Sequence, residues 1–249
     1  MNRSEDIIGM IQQDVRAYSK ENMYDFDNSV MLDYYPKRII ELLGKEFRKK
    51  NCLELGIGHG YTTRLFSQNF DSYTVIEGSR EVIQKFSEEN SDLKINIINS
   101  YFENWTANEQ RYDVIILGFV LEHVDDPVKI LRQYKAYLAD KGRMFLAVPN
   151  AEAMNRRVGI ATGILKDIEE LSQNDILLGH KRYYRLETLR CDVKKAGLHI
   201  LREEGIFMKV MTTKQMFELE IPDNIIKGYL EIAKGYPELS CALLLEVSL

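Results

Sequence analysis

The chain has 249 residues, of which 45% are hydrophobic, and its formal net charge is −5 with both signs of charge well represented. This length and composition favour one α/β domain with a single substantial core. Because no long basic block is present, we expect no nucleic-acid partner, and a small molecule is favoured as the substrate.

The cysteines and the N-terminal residues bear on where in the cell the protein resides. Cys52, Cys191 and Cys241 are widely separated and form no CxxC pair, so we expect neither a disulfide framework nor a metal site. The first residues, MNRSEDIIGMIQQD, lack an apolar signal core, and no window is long and apolar enough for a membrane span. We therefore expect a cytoplasmic protein without a membrane partner.

Residues 1–50 are predicted to form a helical cap. SEDIIGMIQQDVRAY has a plausible N-cap at Ser4, and PKRIIELLGKEF opens with Pro36, which is favourable in a first helical turn. The aromatic and acidic stretch between them, MYDFDNSVMLDYY, contains Tyr24 and could cover a ligand.

Residues 51–150 alternate between strand and helix patterns. The predicted strands are NCLELGI, YTVIEG, INIINSY, YDVIILGF and GRMFLAVPN. Such alternation predicts a parallel sheet with helices on both faces. Since ligands bind beyond the carboxyl ends of parallel strands, the residues that follow each strand are the candidate site.

The first strand is followed by three closely spaced glycines. The pattern is Glu54-x-Gly56-x-Gly58-x-Gly60, and the third glycine of a dinucleotide fingerprint would fall on Tyr61 instead. A phosphate-binding loop is also excluded because no Gly-Lys-Ser/Thr follows. A carboxylate at this point would repel a pyrophosphate and favour a ligand that carries an ammonium group.

The second strand ends in Glu77, about twenty residues beyond the loop, where a carboxylate can accept both hydroxyls of a ribose. The two sites together predict a ligand with a ribose and a cationic end. S-adenosylmethionine has both features.

From about Asn51 to Leu201 the sequence resembles the class I S-adenosylmethionine-dependent methyltransferases. The most specific segment is YDVIILGFVLEHVDDPVKILRQYKAYLADKGRMFLAVPN, which resembles small-molecule methyltransferases of the ubiquinone-biosynthesis O-methyltransferase type. The resemblance implies a Rossmann-like α/β fold with a seven-stranded, mostly parallel sheet and a reversed last strand. GLHILREEGIF and CALLLEVSL can supply the sixth and seventh strands.

The resemblance also implies cofactor-binding roles for residues after the strands. Glu54 and the three glycines would line the methionine end, and Glu77 would hold the ribose. Ser100 and Tyr101 would flank the adenine, although the family often has an acidic residue where Ser100 stands. The cofactor-binding set is Glu54, Gly56, Gly58, Gly60, Glu77, Ser100, Tyr101 and Phe119.

Two histidines are candidates for the base that deprotonates an acceptor. His123 in VLEHVDDP could take a proton, or it could order its loop or pair with Asp125 or Asp126. His180 in LLGHKRYYRLETL matches a segment that faces the active site in related enzymes, or it could cap the following helix. Both alternatives stay open.

Residues 151–180 are predicted to be a helical lid insertion, and residues 181–249 complete the sheet. Basic residues cluster there, which favours an anionic acceptor that is phosphorylated, acidic or linked to a nucleotide. The alternatives are a solvated lid face or contacts with the acidic stretch KDIEEL. The candidate acceptor-binding residues are Tyr24, Asn150, Arg156, Arg157, Arg182 and Tyr183.

The sequence thus predicts an enzyme that methylates a small polar, anionic acceptor, on oxygen, and releases S-adenosylhomocysteine. The protein would be a monomer or homodimer. The alternative is a catalytically inactive cofactor-binding subunit with a regulatory or scaffold role. An RNA or protein methyltransferase lacks support, because neither a basic surface nor an Asn/Asp-Pro-Pro-Tyr/Phe motif is present.

Overall fold

The computed structural model describes residues 23–45 and 50–249, without the side chains of residues 23–28 and 217. The predicted helix that starts at Ser4 and the side chain of Tyr24 lie outside this part. Within it, none of the helices is long and apolar enough to cross a membrane. The division of the chain into cap, core, lid and C-terminal part stays a prediction.

A sheet of seven strands runs through the described residues, with helices on both faces. The strands are β1 (Asn51–Leu55), β2 (Ser72–Glu77), β3 (Asn96–Asn99), β4 (Tyr112–Gly118), β5 (Leu138–Pro149), β6 (His199–Ile206) and β7 (Ala242–Ser248). The α-helices are α1 (Met23–Leu43), α2 (Tyr61–Ser67), α3 (Arg80–Glu89), α4 (Pro127–Lys135), α5 (Met154–Ala161), α6 (Gln173–Leu177), α7 (Leu186–Lys195), α8 (Thr213–Glu218) and α9 (Asp223–Ala233).

The strand order is β3-β2-β1-β4-β5-β7-β6, and β7 runs antiparallel to both of its neighbours. β1 pairs in parallel with β2 on one side and with β4 on the other. The predicted seven-stranded sheet with a reversed last strand is therefore confirmed. The order reverses beside β1, so the loops after β1 and β4 diverge and leave a crevice between them.

Each face of the sheet has its own hydrophobic core. One core contains Leu53 and Leu55 of β1 and residues of α4 and α7, such as Leu131 and Leu189. The other contains residues of α1, α2 and α3, including Phe66. Because both faces are covered, the central strands read as nearly continuous apolar runs, which is why the sequence located them.

The predicted start of a helix at Pro36 is wrong. α1 runs from Met23 to Leu43 with Pro36 inside it. Proline removes one helical hydrogen bond, but Tyr35, Ile39 and Leu43 lie four residues apart and are all buried in the second core. Packing of this stripe outweighs the local preference for a break.

A partly buried ion pair joins α1 to the sheet. The Arg38 guanidinium donates to both oxygens of Glu204 on β6, with Nε–Oε2 and Nη2–Oε1 distances of 2.8 and 2.7 Å. The exposed fractions of the two side chains are 12% and 7%. This fork fixes the helix that carries Tyr35, and Tyr35 contacts the site described below.

We expect Arg38→Met to lower the free energy of unfolding by about 2 kcal/mol, because it leaves a buried carboxylate without its bidentate donor. Urea unfolding at pH 7 measures the change. The control is Lys37→Met, which removes an exposed pair with Asp33 on the same helix and should change stability by less than about 1 kcal/mol. Equal effects of the two substitutions would contradict this view of the Arg38 pair.

Candidate active site

A cavity of about 1490 Å³ lies beyond the carboxyl ends of β1, β2, β3 and β4. Its walls are the loops that follow these strands together with parts of residues 151–180. A pocket for one drug-sized ligand usually measures about 300–1,000 Å³. The cavity can therefore accommodate two molecules side by side, as a transfer reaction requires.

The glycine loop forms one wall through its backbone. Gly56 and Gly58 have positive φ angles of 83° and 53°, which favour glycine. A Cβ atom on Gly58 would meet nothing within 4 Å, and one on Gly56 would meet only Phe102 at 3.7 Å. The loop is therefore open to close approach by a ligand.

Gly60 does not line the cavity, in contrast to its predicted place at the methionine end. It is the N-cap of α2, with φ 78°, and a Cβ atom there would lie 2.5 Å from Cδ2 of Phe86. Close packing of α2 against α3 therefore accounts for this glycine.

Glu54 is buried beneath the loop, and its carboxylate accepts three hydroxyl hydrogen bonds. The donors are Thr63 Oγ1 at 2.5 Å, Tyr73 Oη at 2.7 Å and Thr62 Oγ1 at 3.4 Å. Burial raises its pKa to about 7. These bonds tie β1 to α2 and β2, and the predicted role of Glu54 as opposite charge for an ammonium group stays a prediction.

Glu77 lies on the cavity wall and closes the turn at the end of β2. Its Oε2 accepts from the backbone N–H of Ile57 at 3.0 Å, and its Oε1 accepts from that of Ser79 at 2.8 Å. Each carboxylate oxygen has two lone pairs, so each can accept one further bond. The residue can therefore hold the glycine loop and still receive two ribose hydroxyls.

The loop after β3 brings aromatic rings to the cavity. Tyr101 and Phe102 line the wall, and Tyr101 is more than half exposed. The predicted neighbour Ser100 does not line it, because its hydroxyl turns back and donates to the carbonyl oxygen of Tyr101 at 3.0 Å. An exposed ring beside Glu77 suits the flat face of a base.

Phe119, directly after β4, has a φ of 57°, which is strained for a residue with a large side chain. It lines the cavity, and its ring packs edge-on against Tyr35 at a centroid distance of 5.6 Å. The strained turn directs the next residues of this loop toward residues 151–180.

The two candidate histidines meet in the cavity although they are far apart in the sequence. The ring centroids of His123 and His180 are 4.7 Å apart. One side-chain nitrogen or oxygen atom from each of Glu122, His123 and His180 lies within 4.8 Å of the others. The predicted absence of a metal stays a prediction.

The contacts of His123 favour the alternative that it orders its loop and does not act as the base. It hydrogen-bonds to the backbone of Leu178 and Gly179. Burial and the neighbouring His180 lower its pKa to about 4, so it is neutral at pH 7 and weakly basic. It joins the loop after β4 to the end of α6.

His180 is oriented by a carboxylate. Its Nδ1 lies 3.2 Å from Oδ1 of Asp175. Burial disfavours the Asp175 anion, but hydrogen bonds from His180 and Ser172 lower the pKa of Asp175 to about 2. A second oxygen of Asp175 accepts from the hydroxyl of Tyr183 at 3.0 Å. A histidine held by an ionised carboxylate is suited to accept a proton.

Glu122 is fully buried, and no other described residue donates a hydrogen bond to its carboxylate, which has only its own backbone N–H as a donor. Burial raises its pKa to about 7. Sequence reasoning missed this residue, although a carboxylate directly before a candidate base and after a buried strand was a usable signal.

Sequence reasoning also missed other residues of the cavity wall, among them Phe102, Asn155 and Asp175. Asp175 could have been found from the capping-box pattern, since Ser172 and Asp175 form one at the start of α6. For Phe102 and Asn155 we find no distinguishing signal in the sequence.

The predicted acceptor-binding arginines are engaged within the chain. Arg156 lines the cavity, but its guanidinium donates to the carbonyl oxygens of Ile168 and Glu170 and lies 4.1 Å above the ring of Tyr183, which also lines the cavity. Arg157 lies away from the cavity wall and pairs with Glu152 at 3.0 Å. The arginine pair therefore does not form an anion-binding fork.

Arg182 and Asn150 make hydrogen bonds that hold the fold together, and neither lines the cavity. Arg182 donates to the carbonyl oxygens of Leu121 and Val124, so it fastens the GHKRYY segment to the loop after β4. Asn150 is buried, and its Nδ2 donates to three carbonyl oxygens in residues 237–240. Both predicted substrate roles lack support.

Comparison with known proteins agrees with this geometry. A family model described as a methyltransferase domain matches residues 29–203. A ubiquinone biosynthesis O-methyltransferase of Actinobacillus pleuropneumoniae serotype 5b (strain L20) is 31% identical over 130 residues, which are 49% of this chain and 53% of that protein. The chain thus spans about half the length of the curated relatives it matches.

Solved structures share the fold at low identity. A possible histamine N-methyltransferase from Thermotoga maritima has a TM-score of 0.65 and 14% identity, covering 96% of this chain and 95% of that one. The N-methyltransferase NodS from Bradyrhizobium japonicum WM9, in complex with S-adenosyl-L-homocysteine, has a TM-score of 0.60 and 12% identity, covering 96% and 97%.

We expect Glu122→Gln to stabilise the protein increasingly as the pH rises. The pKa of the Glu122 carboxyl is raised in the folded state, so burying this group does not destabilise the protein below about pH 4.5, where it is neutral. Above about pH 7 the buried group must ionise, and the protein is destabilised by the full amount. The gain should be small at pH 5 and approach roughly 3 kcal/mol at pH 8. Urea unfolding at four pH values gives the difference curve.

The difference between variant and wild type is needed because other buried groups titrate too. The pKa of Glu54 is also raised, so its ionisation destabilises the protein as the pH rises. The pKa values of His59 and His123 are lowered to about 4, so their contribution to stability increases as the pH rises to 6.5. Asp125→Asn, which removes an exposed carboxylate from the same loop, is the control. A difference that does not change with pH would contradict the assignment.

Proposed function

The chain belongs to the methyltransferase-domain family, and we propose that it transfers the methyl group of S-adenosylmethionine to an oxygen atom of a small polar acceptor. The observation that carries the proposal is a single cavity that holds the glycine loop and Glu77 at one end and a carboxylate-oriented histidine at the other. The first end suits the cofactor, and the second suits an acceptor that must lose a proton.

At the cofactor end, the chain supplies shape and hydrogen-bond acceptors. Glu77 would receive the ribose hydroxyls, the backbone at Gly56 and Gly58 would lie against the amino-acid portion, and Tyr101 would cover the adenine. When bound, the cofactor supplies a methyl group on a positively charged sulfur. Release of the methyl group leaves S-adenosylhomocysteine.

At the acceptor end, the chain positions a hydroxyl and removes its proton. Methyl transfer is an in-line displacement, so holding the oxygen against the methyl carbon is the main requirement. His180 accepts the hydroxyl proton, and Asp175 keeps its ring in one orientation. His123 holds the loops together through the backbone of Leu178 and Gly179.

Oxygen is favoured as the methylated atom because the curated relatives are named O-methyltransferases and because a base is needed for a hydroxyl. The anionic acceptor inferred from the basic residues stays a prediction. Arg156 and Lys181 line the cavity, but Arg156 binds backbone carbonyls and Lys181 pairs with Asp125, so these two contacts do not favour it. Arg80 and Lys209 also line the cavity.

An inactive cofactor-binding subunit is the alternative. It would share the cofactor end of the cavity but would not need a proton acceptor opposite it. A thermal-shift assay with S-adenosylmethionine, followed by measurement of S-adenosylhomocysteine formation with pooled hydroxyl-bearing acceptors, distinguishes them. Binding without turnover in any pool would favour the inactive subunit.

We expect Glu77→Ala to weaken S-adenosylhomocysteine binding by about 2 kcal/mol, the scale of hydrogen bonds to a charged group. Calorimetry measures the affinity. Asp71→Asn is the control, because it removes an exposed carboxylate just before the opposite end of β2 and should not affect binding. Wild-type affinity in Glu77→Ala would remove Glu77 from the site.

We expect His180→Ala to lower turnover about a hundredfold while the cofactor affinity is retained, because a positioned base contributes on this scale. His123→Ala should act mainly on thermal stability, since its contacts join two loops. The measurements are S-adenosylhomocysteine formation and the melting temperature. If His180→Ala keeps normal turnover, positioning alone is the mechanism.

A further inference from the structure

We propose that Glu122 is a positioning residue for the base, and that its buried carboxylate provides the negative charge for the imidazolium that forms when His180 takes the acceptor's proton. The inference rests on the proposed function and adds a residue that neither the motif nor the resemblance assigns. It makes the base a histidine with a carboxylate on two sides, one from residues 151–180 and one from the loop after β4.

The order of these groups from the cavity inward supports the role. The His180 side chain is 13% exposed, whereas Glu122 is 0% exposed. Both residues belong to the cavity wall, and one polar atom of each lies within 4.8 Å of the other. The imidazole is therefore the more accessible of the two groups, and an acceptor is expected to contact it before the carboxylate.

The unpaired state of Glu122 is the second observation. A buried carboxylate usually has hydrogen-bond donors, and leaving one without them costs stability. Glu54, another buried acid of the site, has three hydroxyl donors, but no other described residue donates a hydrogen bond to Glu122, whose one donor is its own backbone N–H. A residue that lowers the stability of the fold in this way is expected where catalysis requires it.

Among the charged groups near Glu122, a protonated His180 is the cation best placed to pair with its carboxylate. Arg182 is close enough to lower its pKa, but that guanidinium is bound to the carbonyl oxygens of Leu121 and Val124. Asp175 repels the Glu122 anion, and His180 attracts it. The titratable and charged groups around it are Tyr35, His123, Asp175, His180, Arg182 and Tyr184.

The proton and electron balance is simple. As the acceptor oxygen bonds to the methyl carbon, the S–CH₃ bond breaks and its electron pair stays on sulfur. The acceptor O–H bond breaks, and its proton forms an N–H bond on His180. Glu122 and Asp175 then face a cation in place of a neutral ring, which lowers the energy of the charged state. Release of the proton to water regenerates the base.

The test follows the histidine directly, so that it does not depend on knowing the acceptor. Wild type, Glu122→Gln, Glu122→Asp and Asp71→Asn are loaded with S-adenosylhomocysteine in buffer containing EDTA. The Hε1 resonance of His180, assigned with His180→Asn, is followed by NMR between pH 4 and pH 9. We expect its titration midpoint to move about one pH unit or more to lower pH in Glu122→Gln.

The control variants sharpen the result. Glu122→Asp keeps the charge and should restore part of the midpoint, whereas Asp71→Asn removes an exposed charge before the opposite end of β2 and should leave it unchanged. An unchanged midpoint in Glu122→Gln overturns the proposal, and so does a shift seen only after a divalent cation replaces EDTA. Loss of S-adenosylhomocysteine binding by the wild type would instead be a failure of the proposed function.

Kinetics supply the second measurement. With an acceptor found in the pooled screen, Glu122→Gln should lower kcat at least about tenfold with little change in the KM of either substrate, and Glu122→Asp should recover part of it. A rise in KM with unchanged kcat would show that Glu122 only shapes the pocket, and would overturn the proposal.

Discussion

The parallel pairing of β1 with β2 on one side and β4 on the other is the constraint on which the site depends. It brings the carboxyl ends of these strands to one edge of the sheet, where the loops that follow them diverge. Glu77 then joins the end of β2 to the glycine loop through the N–H of Ile57. This end of the cavity is thus held by a contact between the Glu77 side chain and the backbone of the glycine loop, without residues 151–180.

The other end of the cavity is assembled from distant parts of the chain. The loop after β4 contributes Glu122 and His123, and residues 175–182 contribute the groups that face them. The two segments are fastened by Arg182, by the bond from the N–H of Lys181 to the carbonyl of Glu122, and by His123. These links explain why polar residues cluster in GHKRYY: most of them hold the loops together.

Buried acids have two different roles in this protein. Glu54 is surrounded by hydroxyl donors, so its burial is compensated and stabilises the junction of β1, β2 and α2. Glu122 lacks such donors, so its burial reduces stability and calls for a functional explanation. Burial raises the pKa of both residues to about 7, and only the surrounding donors distinguish them.

The sequence by itself determined the order of the strands along the chain and the glycine loop, because strand periodicity and turn residues are local properties, and its resemblance to a known family implied the reversed last strand. It also singled out Glu77 and both histidines, which the structure places on the wall of one cavity. Only the tertiary structure decided what the arginines bind, since guanidinium partners such as the carbonyls of Leu121 and Ile168 come from backbone that composition does not reveal. The same holds for the continuation of α1 through Pro36, where packing of the helix outweighs local preference, and for Glu122, whose meaning depends on the absence of donors in the described structure around it.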